Sequence, residues 1–183
     1  MYMKKYLKQA AWAGLFGLIA LLGVACEQLP HEGKLILVSK ERQTENPVYS
    51  LLMVDPGQTN KAKLLSEGFA SAKSPSLSHD GKTLYFQAKK EVGEPWQIWG
   101  MDLKKQRAWK VSEDDKDCCF PVSLPNETVV YSVGDGEKSE LWVSKNDGCC
   151  PQQLSFNLGQ NTHGNLLREG RILFVNKGSD PGK

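Results

Sequence analysis

The cysteines are the most reactive side chains in this sequence. Four of the five form two adjacent pairs, Cys118-Cys119 and Cys149-Cys150, and the fifth is Cys26. Thiols form disulfides in oxidising compartments, and four of them can hold zinc when they converge. The positions of the two pairs in the fold therefore decide which of these reactions is open to them.

A second set of residues with binding chemistry consists of three carboxylates and one imidazole. Asp114, Asp115 and Asp117 lie in the segment EDDKD, and His163 lies in QNTHGN. Carboxylate and imidazole groups accept hydrogen bonds and attract cations. We interpret these four residues as a candidate partner-binding rim formed by loops that precede two strands. Ordinary solvated loop charge is the alternative.

Catalytic constellations are missing from the sequence. It has no G-x-S-x-G elbow, no H-E-x-x-H pair and no phosphate loop, and its three histidines limit acid–base chemistry. Apart from the lysines near the N-terminus, basic and acidic residues are nearly equal in number. Nucleic acid is therefore not an expected partner. We expect no catalytic residue, no cofactor and no metal, the alternative being zinc held by both cysteine pairs.

The N-terminal segment predicts export from the cytoplasm. MYMKKYLKQ is cationic, and residues 10–25 form an apolar run that is shorter than the roughly 20 residues of a membrane-spanning helix. This pattern is typical of a secretory signal peptide. The run ends in LLGVAC, which resembles the lipobox of bacterial lipoproteins. The resemblance implies a lipoprotein signal peptide over residues 1–25, lipidation of Cys26 and a short tether over residues 26–33.

Two details refine this interpretation of the N-terminus. Glu27 follows the cysteine where the inner-membrane retention signal of such lipoproteins usually has Asp. The resemblance therefore favours the outer membrane in a host that has one. An ordinary secretory signal and an uncleaved anchor are the alternatives, and all three place the rest of the chain outside the cytoplasm.

A hairpin signal recurs along the rest of the chain. In SPSLSHDGKTLYF an Asp-Gly pair separates two extended runs, which predicts a strand, a tight turn and a second strand. SPSLSHDGKTLYFQAK aligns with CFPVSLPNETVVYSVG, in which Pro125-Asn126 replaces Asp-Gly, and with THGNLLREGRILFVNK. Pro75 and Pro121 are 46 residues apart, and Pro121 and Gly164 are 43 apart. This self-similarity indicates a repeated unit.

Two other landmarks keep the same offsets. Trp99 in QIWGMDL matches Trp142 in ELWVSKNDG at a spacing of 43. The segments KLLSE, WKVSE and QQLSF each contain a serine, and these serines are Ser66, Ser112 and Ser155. Each unit therefore has four short strands in about 43 to 48 residues, the size of a β-propeller blade.

The second strand of each unit supports the blade interpretation. LYF at residues 84–86 and VVY at residues 129–131 show no polar alternation, so both faces of these strands need cover. A blade stacked between two others meets this need. A β-sandwich of short strands is the alternative, and the regular period disfavours it.

This pattern resembles the TolB-type, WD-like propeller repeat of bacterial envelope proteins. SPSLSHDGKTLYF matches that repeat, with His79 where proline is common, and IWGMDL and a Val-Ser ending follow it. The resemblance implies an all-β fold, a β-propeller of four-stranded antiparallel blades over residues 34–183, preceded by an N-terminal signal helix. It is specific for fold and carries little information on function.

Counting strands predicts an incomplete ring. Residues 33–38 match the second strand of a unit without an inner strand before it, and residues 171–175 match the second strand again. The chain thus holds three, four, four and two strands, about three and a half repeats, whereas propellers usually have four to eight blades. A fragment of a longer protein is the favoured explanation. Completion by a second copy and an open stack are the alternatives.

The strand register limits the chemistry of the cysteines. Cys118-Cys119 enter the inner strand of the third unit, and Cys149-Cys150 lie at the turn into its outermost strand. Three strand positions correspond to about 14 Å, whereas a disulfide needs Cα atoms about 4.4–6.8 Å apart. We therefore expect vicinal disulfides or free thiols, and neither a crosslink nor a shared zinc ion between the pairs.

The predicted anchor, the repeat and the missing catalytic constellation favour one function. It is a lipid-anchored cell-envelope β-propeller that acts as a non-enzymatic protein-interaction or scaffold module on the periplasmic or extracellular side. The expected partners are the membrane, through the N-terminal lipid, and another envelope protein or peptidoglycan-associated component. The alternative is the propeller portion of a larger envelope enzyme, of peptidase or lyase type. A small-ligand-binding propeller is a third, weaker possibility.

Overall fold

The computed structural model describes residues 33–41, 47–58 and 60–178. Regular structure in these ranges consists of strands and one short 3-10 helix, Pro56–Gln58. The signal helix expected over residues 1–25, and Cys26 with it, lies outside the described residues. Within the described ranges no helix has the length and apolar character needed to cross a membrane.

Thirteen described strands form four blades. The first blade contains β1 (Leu35–Lys40), β2 (Tyr49–Val54) and β3 (Ala62–Leu64). The second contains β4 (Ser71–Leu77), β5 (Thr83–Lys89), β6 (Gln97–Asp102) and β7 (Arg107–Lys110). The third contains β8 (Asp117–Ser123), β9 (Thr128–Gly134), β10 (Ser139–Lys145) and β11 (Gln152–Gln153). The fourth contains β12 (Gln160–Leu166) and β13 (Ile172–Lys177).

The blades are antiparallel sheets in which each strand pairs with the next one along the chain. This order confirms the predicted sequence of three, four, four and two strands. One parallel bridge, between Ser139 of β10 and Gln160 of β12, also joins the third blade to the fourth. Within a blade we call the first of the four strands the inner strand and the next one the second strand; the first blade has no described inner strand.

The apolar second strands of the middle blades form the core between blades. Phe86 of β5 packs in one buried cluster with Leu51 of β2, while Tyr85 on the opposite face of β5 packs in another cluster with Val129 of β9. A strand covered on both faces cannot alternate apolar and polar residues, because neither face meets water. Trp99 packs against the first cluster and Trp142 against the second, as expected for repeat-equivalent core residues.

The repeated serines close the outer edge of each blade. The backbone N–H of Leu51, Ile98 and Leu141 donates to the hydroxyl of Ser66, Ser112 and Ser155, respectively, at 3.1, 2.8 and 2.8 Å. All three serines are buried. The hydroxyl satisfies a backbone donor of the third strand at the point where the short fourth strand turns away. The Ser pattern therefore has a structural cause that is the same in three blades.

The hairpin turns correct one detail of the sequence alignment. Gly81, Glu127 and Gly170 each follow the last bonded residue of the inner strand by three positions, and their φ angles are 70°, 60° and 81°. Asn126-Glu127, rather than Pro125-Asn126, therefore occupies the Asp-Gly position of the third blade. The predicted alignment is wrong by one residue at this turn, because the turn of the third blade is one residue shorter than that of the second. The first turn is one residue longer, since Lys82 precedes β5.

The carboxylate of Asp80 holds the first of these turns together. It accepts hydrogen bonds from the Ser78 hydroxyl at 2.7 Å and from the Lys82 backbone N–H at 3.1 Å. These donors lower the pKa of Asp80 from 3.8 to about 2. An ionised carboxylate that accepts these hydrogen bonds fixes the conformation of the turn. The role of Asp80 is therefore structural.

Candidate functional site

One end of the propeller carries the segments by which the chain passes from blade to blade. We call this end the linker face. The inner strands start at this face, at Ser71, Asp117 and Gln160. Each of these three residues lies beside the start of the third strand of the preceding blade. Crevices open at the linker face between the first and second blades and between the third and fourth, and different residues line them.

Every described inner strand bends at the same position. Ser74, Phe120 and His163 have φ angles of 54°, 55° and 52°, and each lies within a register shift of its strand pairing. Left-handed backbone is costly for residues with a Cβ atom and unusual for a bulky one. The bulges turn the strand ahead of Pro75, Pro121 and Gly164. The sequence repeat aligns Ser74, Phe120 and His163 at one position, yet none of these residue types indicates a left-handed conformation.

The two aromatic residues at this position, Phe120 and His163, lie against each other. The ring of Phe120 in β8 and the ring of His163 in β12 have centroids 3.8 Å apart and planes inclined by 32°. His163 Nδ1 lies 3.0 Å from the hydroxyl of Thr162. The His163 side chain is exposed. Two strained backbone positions thus present a stacked pair of rings at the crevice between the third and fourth blades.

A difference between repeats creates a cavity at this crevice. In the second blade, Gln87 is fully buried, and its Oε1 accepts the backbone N–H of Phe120 at 3.0 Å. The register of the strand pairs places Ser132 at the equivalent position of the third blade. Serine is too short to bridge to the next inner strand as Gln87 does. The space that it leaves belongs to a cavity of about 240 Å³.

The cavity has polar and charged groups among its lining residues. Its walls include Asp117, Phe120, Ser132, His163 and Lys177. The Ser132 hydroxyl is buried and has no hydrogen-bond partner among the described residues. An unpaired buried hydroxyl is costly, so a ligand group or a water that bonded it would gain by doing so. The site combines an acid, a base, an ammonium group and an aromatic surface, which suits binding of a polar partner.

Of the four predicted rim residues, the structure brings two together in this cavity. Asp117 begins β8, where its Oδ1 accepts the backbone N–H of Trp96 at 2.8 Å. His163 lies within β12, not in the loop before it as expected, because β12 begins three residues earlier at Gln160. Asp114 lines a different cavity next to Lys110, and Asp115 is an exposed loop residue. Phe120, Ser132 and Lys177 also line the cavity, and no motif in the sequence marks them as site residues.

The buried cysteine pair, Cys118 and Cys119, supplies no activated nucleophile. Burial raises the pKa of Cys118 to about 11 and, with the nearby Asp117 charge, that of Cys119 to about 12. Thiols with such pKa values are almost entirely protonated at neutral pH and react slowly. Cys119 lines the cavity as a protonated thiol, not as a thiolate.

The second cysteine pair lies at the surface. Cys149 and Cys150 are exposed in the turn between β10 and β11, and a hydrogen bond with Cys150 raises the pKa of Cys149. The four described cysteines are free thiols, and a vicinal bridge within either pair stays a prediction. The order β8-β9-β10-β11 keeps the two pairs three strands apart, as the register implied. Among the described residues no three His, Cys, Asp or Glu side chains converge as a metal site.

Solved structures similar to this chain are β-propellers. TolB from Acinetobacter baumannii matches 79% of the chain with 20% identity and a TM-score of 0.60. Hydrazine synthase from Kuenenia stuttgartiensis matches 77% with 16% identity and a TM-score of 0.65. The propeller domain of the Trilobed protease from Pyrococcus furiosus matches 67% with 15% identity and a TM-score of 0.50. The chain has a TolB-like β-propeller fold.

The chain spans only part of these proteins. It covers 35% of the TolB chain, 27% of the hydrazine synthase chain and 40% of the protease propeller domain. No family model matches the sequence, and no curated protein does either. At these identities the likeness shows the fold alone.

Proposed function

We propose that the chain is the propeller of a lipid-anchored bacterial envelope protein, and that it binds another envelope protein without catalysing a reaction. The observation that carries the proposal is the apolar character of the linker face. The three most exposed large apolar side chains among the described residues are Val92, Phe156 and Leu158, at 89%, 77% and 76%. All three lie in loops of this face, in the β5–β6 connection and in the segment between β11 and β12.

Exposed apolar side chains next to a polar cavity are typical of protein-binding surfaces. Isolated surface leucines need no explanation, but neighbouring exposed apolar residues in one loop indicate a contact site. Phe156 and Leu158 lead directly into β12, which carries His163. A partner that covered these side chains could insert a polar group into the cavity and bond the Ser132 hydroxyl.

Site-specific photo-crosslinking in the native host tests the proposal. A photoreactive phenylalanine analogue at position 156 should crosslink one envelope protein. The same analogue at His79, which is exposed in the hairpin at the opposite end of the blades, serves as the matched control. Equal crosslinking at both positions, or none at position 156, would contradict binding at the linker face.

The cavity provides a sharper second test. Ser132→Gln restores the residue that fills the equivalent space in the second blade, so it should be tolerated by the fold and should weaken partner binding at least about tenfold by occupying the cavity. Ser132→Ala removes the hydroxyl without filling the space and should have a smaller effect. If Ser132→Gln left the crosslinked yield at position 156 unchanged, the cavity would have no part in the interaction.

Membrane attachment is a separate element of the proposal. It rests on the cationic segment, the apolar run and Ala25-Cys26, all of which lie outside the described residues. Cys26→Ser should abolish incorporation of radiolabelled palmitate and release the protein from the membrane fraction. Palmitate incorporation that persisted in this variant would exclude Cys26 as the acylated residue.

An enzyme-linked propeller is the second candidate function. The similar propeller domain of the Trilobed protease supports it, since that domain is one part of a larger protein. The mass of the native protein and the gene sequence beyond Lys183 distinguish the two candidates. A catalytic motif in additional chain favours the enzyme; further blades or a peptidoglycan-binding segment favour the interaction module.

A further inference from the structure

The crevice between the first and second blades contains a different site. It encloses a cavity of about 410 Å³ that is lined by Tyr49, Lys73, Lys89, Glu91 and Trp96, among other residues. Cavities that hold small ligands have volumes of roughly 300–1,000 Å³. Tyr49 begins β2 and donates its backbone N–H to the Ser71 hydroxyl at 3.0 Å, which fixes the first blade against the second.

Two lysines converge on one indole ring in this cavity. The ammonium groups of Lys73 and Lys89 lie 4.6 and 5.0 Å from the centre of the Trp96 ring. Lys73 also lies 5.0 Å from the centre of the Tyr49 ring, so it is held between two aromatic side chains. Cation–π contacts of this kind orient the ammonium groups and leave their N–H donors available for an anion.

The two lysines repel each other, and neither forms an ion pair with another of the described residues. Lys73 pairs with Gln87 and Lys89 with Ser71, which makes the two lysines diagonal neighbours on one face of the sheet. Among the described residues, no carboxylate lies within 4.0 Å of either ammonium group. Glu91 lines the same cavity without forming such a pair. Like charges held together on rigid strands favour binding of an anion, which relieves their repulsion.

The repeat shows that the fold does not require these residues. At the crevice between the third and fourth blades, the positions of Tyr49 and Lys73 are occupied by Ser139 and Thr162. Only Lys89 has a basic counterpart there, Lys177, which pairs with Gln160 as Lys89 pairs with Ser71. The same backbone geometry therefore forms with a hydroxyl residue in place of Tyr49 and of Lys73.

We infer that the cavity between the first and second blades binds a small anion with two or more carboxylate groups. Lys73 and Lys89 contribute the charge, and Tyr49 and Trp96 hold the two ammonium groups in place and offer ring surface to the ligand. The backbone N–H groups of Tyr49 and Trp96 already donate to Ser71 and Asp117, so neither is available to an anion in the way that backbone N–H groups serve phosphate sites. These four side chains are not among those that carry the proposed function, although Val92 also lines this cavity, and anion binding here does not depend on that function.

Intrinsic fluorescence of the full chain, purified in a mild nonionic detergent, tests the inference. Citrate is the probe, at low ionic strength with matched counterions. Citrate should quench the tryptophan emission saturably, and the Trp96→Phe variant should lose this quenching because the indole lies beside the anion. Added sodium chloride should weaken binding, as expected for an interaction between charges.

Charge-removing variants identify the site. Lys73→Met and Lys89→Met keep most of the side-chain volume and should each weaken citrate binding at least about tenfold, which is typical for the loss of a charge-assisted hydrogen bond. Lys145→Met removes one exposed charge at the opposite end of the blades, away from both cavities, and should change the affinity less than about twofold. Lys73→Arg changes the side chain but keeps the charge. Citrate binding that survives in this variant would show that the loss in Lys73→Met results from removal of the charge.

Three outcomes would overturn the inference. Saturable citrate binding that is unchanged in the Lys73→Met/Lys89→Met double variant would place the anion elsewhere. Equal loss in Lys145→Met would mean that net charge, not this cavity, governs binding. Pyrophosphate that binds at least about tenfold tighter than citrate would overturn the carboxylate assignment and make the site a phosphate site.

Discussion

The second strands of the middle blades and those of the end blades occupy the same position in the repeat but have different surroundings. Leu84 of β5 is 1% exposed, whereas its equivalent in β1, Leu35, is 52% exposed. β5 and β9 are buried along almost their whole length, while β1 and β13 are mostly exposed. All four strands are apolar. Their burial is thus set by whether a blade lies on each side, not by the strand itself.

This difference explains why the sequence of a propeller strand is a poor guide to its exposure in one chain. Each blade buries one face of its second strand against the blade before it and the other face against the blade after it. Repeat proteins in general gain stability from such interfaces between neighbours as well as from the individual units. In this chain the described end blades have one neighbour each, so their strands keep an apolar face without cover.

The largest expected effect is a difference between two leucine truncations. Leu84→Ala should cost about 2–5 kcal/mol of unfolding free energy, because it removes a fully buried side chain and leaves a cavity between blades. Leu35→Ala, at the equivalent position of the first blade, should cost less than about 1 kcal/mol, since half of that side chain is already exposed. Urea denaturation of both variants measures the two costs.

The same two variants can also show whether the apolar face of β1 is exposed in solution. If Leu35→Ala cost as much as Leu84→Ala, the apolar face of β1 would be covered in solution. A midpoint of unfolding that rose with protein concentration would then identify a second copy as the cover, and a midpoint independent of concentration would identify another part of the same chain.

A smaller effect is expected at the serines, and there the end blade should not differ from the middle ones. Ser112 accepts the Ile98 backbone N–H and donates to Gln97 Oε1 at 2.9 Å, and Ser66 accepts the Leu51 backbone N–H in the first blade. Ser112→Ala and Ser66→Ala should each cost about 1–3 kcal/mol, because a buried backbone donor loses its partner. Denaturation midpoints measure this, with Ser39→Ala at an exposed position of β1 as the comparison.

Similar costs for Ser66→Ala and Ser112→Ala would show that the outer edge of a blade is closed locally, whatever its neighbours. A cost at Ser66 near zero would instead mean that the exposure of the first blade extends to its outer edge. The comparison between end and middle blades would then apply to the whole blade and not only to its second strand.

Much of the fold follows from the sequence, because the features that specify it are local and repeated. The Asp-Gly turn, the apolar run after it and the closing serine each report a hydrogen-bonding or burial requirement of one blade. Their common offsets of 46 and 43 predict the number of blades and the strands in each. The predicted alignment is wrong by one residue at Asn126-Glu127, because this turn has no glycine and so lacks the residue that marks the turn position in the other blades.

The site is much less predictable, because it depends on pairs of residues from different blades. The cavity exists because Ser132 replaces the longer side chain found at Gln87, and this matters only once β9 lies beside β12. The left-handed backbone of Phe120 and His163 is imposed by strand pairing against their own preferences. A better alignment of the repeat could have identified the Gln–Ser difference, although not the empty space that results from it.

The smallest expected effect concerns the hairpin turns, where the third blade departs from the others. Glu127 adopts φ 60° at the position that Gly81 and Gly170 occupy. A left-handed residue with a Cβ atom costs roughly 1–2 kcal/mol, and glycine recovers this at an entropic cost of about 0.5–1 kcal/mol in the unfolded chain. Glu127→Gly should therefore stabilise the protein by about 0.5 kcal/mol, measured by thermal and urea unfolding.

The reverse change in the second blade is the matched control. A Cβ atom added at Gly81 would meet nothing within 4 Å, so Gly81→Ala tests backbone conformation without steric conflict. It should destabilise the protein by about 1 kcal/mol. If Glu127→Gly destabilised the protein instead, the Glu127 side chain would make a stabilising contact that outweighs its backbone strain, and the third turn would be a variant adapted to its own loop rather than a weakened copy of the Asp-Gly turn.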